Sequence, residues 1–129
     1  MALTEQQQVN LTHQLQARDA ELRDEIRQEL LKSDSEIYAE LAGQVHDHAE
    51  ESIANLLVDV ELAVIDQRIA SLREIETALE RLSAGNYGVC IGCGDEIPLA
   101  RLESQPTASR CLTCQKALEG VDAHAIPSL

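Results

Sequence analysis

Cys90-x-x-Cys93 and Cys111-x-x-Cys114, with seventeen residues between the pairs, are the side chains of this sequence best placed to do chemistry. That chemistry is the binding of one metal ion. Two residues between paired cysteines let a tight turn aim both sulfurs at one ion, and two such turns complete a tetrahedron of thiolates around Zn²⁺. Gly92 and Gly94 flank the second thiol, where a turn around a metal-bound sulfur calls for positive φ, and Gly85 and Gly88 loosen the approach. Two disulfides or a redox dithiol are the alternatives, but a redox Cys-x-x-Cys belongs beside a βαβ pattern and none is visible. With all four ligands supplied by cysteine, the ion has no open coordination position and is expected to be structural.

Other reactive groups are weaker candidates. His46 and His48 bracket Asp47 and are able to bind metal or titrate near neutrality, although exposed turn histidines are ordinarily solvated. His13 and His124 read the same way. Arg101 offers a contact to an acidic partner, and Arg101 and Arg110 are equally suited to balancing a doubly negative zinc-thiolate cluster. No Ser/His/Asp set, phosphate loop or paired carboxylate setting is recognisable, so no catalytic residue is assigned and the chain is not read as an enzyme.

The chain of 129 residues carries a formal charge of −13, which four thiolates holding one Zn²⁺ would take to about −15. Ten basic residues are scattered among 23 acidic ones. Binding to nucleic acid through phosphates needs clustered Lys and Arg, so direct DNA binding is not expected. A basic protein surface or a site rich in metal cations suits such a chain better. Met1 to Asn10 is polar, with no apolar run of a signal peptide, and no stretch approaches a membrane span. Together with reduced thiols these features place the protein in the cytoplasm.

The elements that must position the cysteines are helical. There is no Trp or Phe, and Tyr38 and Tyr87 are the only aromatic residues. Aliphatic residues must therefore do the burying, along helix seams rather than in a thick core. Thr4 followed by Gln7 resembles a capping box. From there Leu11, Leu15, Leu22, Ile26, Leu30, Ile37 and Leu41 recur at intervals of four and seven, giving one apolar stripe up to Gly43. Lys32-Ser33-Asp34-Ser35 is a poor helix former and allows a break or bend. Residues 43–51 are nearly all polar and read as a hairpin turn. A second helix is expected over about 50–83, with Ile53, Leu57, Val60, Val64, Leu72, Ile75, Leu79 and Leu82 on its seam and Gly85 as its left-handed stop. Leu56, Val58, Leu62, Ile65 and Ile69 lie off that seam and need further cover, from a third helix, a bent first arm or self-association, with coverage inside the chain favoured. Residues 113–120 are read as a short helix and 121–129 as a loose tail.

Tyr87-Gly88-Val89-Cys90-Ile91-Gly92-Cys93-Gly94, then Ile97, Arg101-Leu102-Glu103, Pro106-Thr107-Ala108 and Cys111-Leu112-Thr113-Cys114, resemble the DksA/TraR zinc-finger family. The motif covers 87–114, Glu76-Thr77-x-Leu79 fits the helix leading into it, and the hairpin and length resemble the longer DksA type. The resemblance implies a regulator that inserts a coiled-coil tip into the secondary channel of bacterial RNA polymerase, often together with guanosine tetraphosphate. The family's Asp-x-x-Asp-x-Ala tip motif falls on 47–52, with Asp47 matching, Glu50 longer by one methylene and Ser52 in place of Ala. The family's basic nucleotide-contacting positions align with Gln67, Glu74, Gln105 and Gln115, which cannot clamp phosphate, so weak or absent nucleotide synergy is implied.

The resulting expectation is a mainly α fold. A long antiparallel helical hairpin occupies 1–85 with its tip near 43–52, a four-cysteine zinc finger and short helix occupy 86–120, and a flexible tail occupies 121–129. Asp47, Glu50 and Ser52 form the effector tip, with Arg101 as a further contact. The alternatives are a zinc-stabilised interaction or stress protein with another partner, or a thiol redox switch.

Overall fold

In a computed structural model of the chain, residues 3–47, 53, 56, 57, 60 and 62–125 are described. The first helix, α1, spans Glu5–Leu31 and opens with the expected reciprocal cap: Thr4 Oγ accepts the Gln7 N–H at 3.1 Å while Gln7 Oε1 accepts the Thr4 N–H at 2.9 Å. Leu11, Leu15, Leu22, Ile26 and Leu30 are all buried along one face. The helix stops at Leu31, where the Ser-Asp-Ser run begins, because Ser33 Oγ takes the Ser35 N–H and Ser35 Oγ takes the Tyr38 N–H. These hydroxyls satisfy donors locally and start α2, Glu36–Asp47, in a new direction. The bend becomes a reversal. The second helix folds back along α1 and buries Ala42 and Val45 in the common core.

The third helix, α3, spans Ala63–Ala84 and ends at Gly85, whose φ of 84° makes the expected left-handed stop. It runs antiparallel to α1: Arg68 pairs with Glu25 and Glu76 with Arg23, so numbers rise along one helix as they fall along the other. Helices α4, Leu99–Ser104, and α5, Leu112–Ala125, complete the chain, with one antiparallel bridge between Val89 and Glu96. Among the described residues there is no strand longer than this bridge, and no helix is long and apolar enough to cross a membrane.

Three expectations are corrected. The second long helix begins at Ala63 rather than near residue 50, since Ile53, Leu57 and Val60 turn into the core and Leu62 is extended at φ −113°, ψ 106°. Burying these apolar residues in a turn covers more than one greasy face, which a straight helix leaves half bare. The bent first arm and these turns supply the extra cover, inside the chain, and the buried face of α3 becomes Ile65, Ile69, Leu72, Ile75 and Ala78. In consequence Ile37 and Val64, both expected on the seam, are 68% and 51% exposed. Finally, α5 continues past Gly120 to Ala125 instead of ending there; no proline intervenes before Pro127, and one helical glycine costs only about 1 kcal/mol.

Two cores share α1 as their spine. The larger holds the α1–α2–α3 bundle, while Leu11 at the start of α1 packs with Cys90, Ile97 and Leu102 under the cysteine segment. Tyr87 touches both and donates its hydroxyl to the Pro106 carbonyl at 2.7 Å. Burial pushes its pKa up to about 12, offset in part by the Arg81 charge. A phenol with a raised folded pKa stabilises fully below its unfolded pKa of about 10. That contribution is lost as pH rises through about 12. Replacing Tyr87 by Phe is expected to cost about 1 kcal/mol at neutral pH and to flatten the alkaline limb of a denaturant-midpoint titration. An unchanged alkaline limb would assign it to other groups.

Candidate metal centre and effector segment

The cysteine segment is held by backbone bonds at the end of α3. Arg81 donates to the carbonyls of Asn86 and Val89, fixing the chain as it leaves Gly85. Cys90 N–H reaches the Asp95 carbonyl at 2.8 Å, Gly94 N–H the Cys90 carbonyl at 2.9 Å, and Ile97 N–H the Gly88 carbonyl at 2.8 Å. This knuckle places Cys90 and Cys93 on one side of the loop. Gly88 and Gly94 supply its positive φ values, 86° and 79°. Gly92 does not; its role is close approach, since a Cβ there would lie 3.1 Å from Cys114 Sγ. Ile91 N–H donates to the Ser109 carbonyl at 2.9 Å and joins the first pair to the second. Cys111 and Cys114 sit at the start of α5, where the positive end of the helix dipole faces the sulfurs.

All four cysteines are free thiols, and their sulfurs lie within 4.8 Å of one another. Tetrahedral Zn²⁺ with bonds of about 2.3 Å needs sulfurs about 3.8 Å apart; Cys93 Sγ and Cys111 Sγ are 3.9 Å apart. Gly92 N–H points at Cys90 Sγ and Cys114 N–H at Cys111 Sγ, at 3.3 and 3.5 Å. The Cys111 backbone, foremost among several N–H groups, holds the Cys90 thiol down to about 6. The neighbouring sulfurs, Cys111 first, push Cys114 up to about 12. Sulfurs crowded this closely ionise together only around a cation, and a closed set of four thiolates selects one structural zinc.

The space beside Gly92 yields a test. Gly92→Ala is expected to weaken zinc binding at least about tenfold in a chelator competition. Gly85→Ala, whose added Cβ meets nothing within 4 Å, should leave affinity unchanged while costing about 1–2 kcal/mol of stability through its left-handed backbone. Equal zinc affinity in the two variants would remove the close-approach role.

Arg101 is half-buried and its Nε donates to the Arg110 carbonyl at 3.0 Å, bracing the loop that leads to Cys111. Asp47 is the last residue of α2 and is exposed, whereas Glu50, Ser52 and His48 lie outside the described residues. Glu74 and Gln105 line one groove of about 610 Å³ between the bundle and the finger, together with Arg18, Glu21 and Thr107. Thr107 donates to Glu74 at 3.4 Å across its edge. Gln67, nearer the start of α3, and Gln115, bonded to Glu119 on α5, do not line it. Among the described residues Arg18 is the only cation lining the groove, and it is already paired with Glu21 and Glu25 at 3.0 and 3.3 Å.

Sequence reasoning missed a buried charge cluster. Asp19 and Arg23, each 8% exposed, join at 2.5 Å, and Arg23 Nη2 lies 3.6 Å from Glu76, which also accepts the Ile53 N–H at 3.3 Å. The signal was the seven-residue skip from Leu15 to Leu22, which leaves Asp19 at a seam position.

Residues 85–120 match the family model for the prokaryotic dksA/traR C4-type zinc finger. The chain is 33% identical to general stress protein 16O of Bacillus subtilis over 122 residues, 92% of this chain and 72% of that protein. It is 32% identical over 96 residues to the RNA polymerase-binding transcription factor DksA of Caulobacter vibrioides, 72% of this chain and 68% of that one. A 43% match to an Aquifex aeolicus protein takes in 46% of this chain and 41% of that protein. Among solved structures, transcription factor DksA2 from Pseudomonas aeruginosa aligns with a TM-score of 0.62 at 27% identity, covering 93% of this chain and 88% of that one.

Proposed function

We propose, from the premise that the chain belongs to the DksA/TraR family of C4-type zinc-finger proteins, that it regulates transcription by binding RNA polymerase rather than DNA. The observation that carries this reading is a closed four-sulfur finger packed against the start of α1 in an acidic helical bundle. The finger itself offers no phosphate-binding face: Arg101, Arg110 and Lys116 stand against Asp95, Glu96, Glu103 and Glu119 before the negative cluster is added. Closed coordination argues against catalysis. The polymerase target is carried over from relatives such as the RNA polymerase-binding transcription factor DksA of Caulobacter vibrioides.

In this reading Asp47, with Glu50 and Ser52, is the effector tip that enters the secondary channel in the cytoplasm, where its charge acts near the metal-containing active centre. Arg101 is a further contact. Co-purification with polymerase followed by promoter assays tests it: Asp47→Asn should keep binding and lose the effect on initiation. Absence of binding would favour the second reading, a zinc-stabilised stress protein with another partner, which the near full-length match to general stress protein 16O supports.

Guanosine tetraphosphate should change the transcriptional effect by no more than about twofold, because the groove holding Glu74 and Gln105 presents a paired Arg18 and two carboxylates to any phosphate. Strong synergy abolished by changing Gln105 or Gln115 would refute this.

A further inference from the structure

In a chain with 23 acidic and ten basic residues, a cation without a carboxylate partner is the exception. Arg18, Arg23, Arg27, Lys32 and Arg68 are each ion-paired. Among the described residues Arg73 has no ion pair or hydrogen bond, and Arg81 has no ion pair. These two stand eight residues apart on α3 with Thr77 midway, so all three share one face, with about 12 Å between the outer Cα atoms. They line one wall of a cleft of about 190 Å³ where α3 meets the finger. The other wall is the loop between α4 and α5, which supplies Thr107 and Ser109. Arg81 gives Nη2 to the Asn86 and Val89 carbonyls, leaving its Nε and Nη1 donors uncommitted among the described residues. The hydroxyls of Thr77 and Ser109 have no hydrogen-bond partner there either. That of Thr107 has one long bond, to Glu74 at 3.4 Å.

We propose that this cleft binds a single phosphate-sized oxyanion. Two guanidinium groups bring charge from either end of the α3 wall and three hydroxyls bring neutral donors, a set that suits a tetrahedral anion. Glu74, which lines both this cleft and the larger groove beside it, opposes a second negative charge. The cleft therefore takes one anion and no row of phosphates, and it does not restore a nucleic-acid face. Arg18 belongs to the neighbouring groove alone. The Ser109 carbonyl accepts the Ile91 N–H, so the loop before Cys111 is already tied to the first cysteine pair. An anion shared by that loop and α3 clips the finger to the bundle.

Titrating inorganic phosphate into the zinc-loaded full chain, at an ionic strength held constant with sodium chloride and followed by amide NMR, tests the assignment. Saturable shifts are expected at Thr77, Thr107 and Ser109. At about ten times the measured Kd, exchange of the Ile91 amide should slow about tenfold. Arg73→Gln, at an exposed position, should weaken binding about tenfold to a hundredfold, the worth of one charge-assisted hydrogen bond. Glu74→Gln should tighten it about threefold by removing a like charge, and Arg18→Gln should leave it unchanged. Pyrophosphate, with the finger's signals reporting that zinc stays bound, should bind no more tightly than phosphate, since Glu74 opposes its second phosphoryl group. The proposal is overturned by shifts that do not saturate, by equal affinity in Arg73→Gln and the parent chain, or by an equal loss in Arg18→Gln, which would mean general screening. Pyrophosphate binding about tenfold tighter would assign the cleft to the end of a larger phosphorylated ligand and overturn the single-anion reading. Polymerase enters none of these readouts.

Discussion

Stripping the zinc with a strong chelator, or replacing Cys114 by Ser, is expected to unfold the cysteine segment while the α1–α2–α3 bundle stays folded. The finger has one bridge, a six-residue helix and a small core of Leu11, Cys90, Ile97 and Leu102 with which to hold itself. Val89, Ile91 and Leu112 are exposed. Ordering a chain costs about 1–2 kcal/mol per residue, and a four-thiolate zinc supplies on the order of 10–16 kcal/mol. Without it this segment has too little burial to remain folded. The bundle is different, because Leu22, Ile26, Leu30, Ile65, Leu72 and Ile75 are buried without help from the finger. Amide NMR signals from 86–111 should therefore collapse, those of α3 should persist, and the first turns of α1 should lose protection as Leu11 is uncovered. A metal-free chain that keeps the dispersed signals of the finger would show that its packing, not zinc, holds it.

The metal centre was legible because its information is local. Two short turns and a helix start fix the four sulfurs, and glycine positions announce where the chain must pass close or turn left-handed; only the reason for Gly92 differs, proximity to Cys114 instead of positive φ. The Thr4 cap and the Gly85 stop were legible for the same reason. The arrangement of the arm was not. Whether the Ser33-Asp34-Ser35 run bends a helix or reverses it depends on what the far side gains from burial. Leu56, Val58, Leu62, Ile65 and Ile69 announced that more cover was needed without saying which segment would provide it. Periodicity predicts a face, not the partner that faces it, so Val64 and Ile65 exchanged roles once Ile53, Leu57 and Val60 turned inward.

Asp19 marks the remaining gap between pattern and packing, and it leads to the second large effect. Replacing Arg23 by Met is expected to destabilise the protein by about 3–5 kcal/mol, because it removes the cation that two largely buried carboxylates approach. Asp19 and Glu76 have side chains only 12% and 19% exposed, and the 2.5 Å and 3.6 Å approaches of Arg23 are their shared contact with positive charge. Size alone cannot account for such a loss, since Met fills much of the same stem volume. Neutralising the cluster as a whole, Asp19→Leu/Arg23→Met/Glu76→Leu, should recover most of the deficit, since the desolvation cost disappears with the charges. The cluster's value would then lie in register. Arg23 reaches Glu76 across α1 and α3, and Glu76 also takes the Ile53 N–H, so sliding either helix by a turn separates opposite charges in a medium of low dielectric. Urea denaturation of the single and triple variants measures the first effect. A triple variant as unstable as Arg23→Met would mean that shape, not unpaired charge, sets the cost.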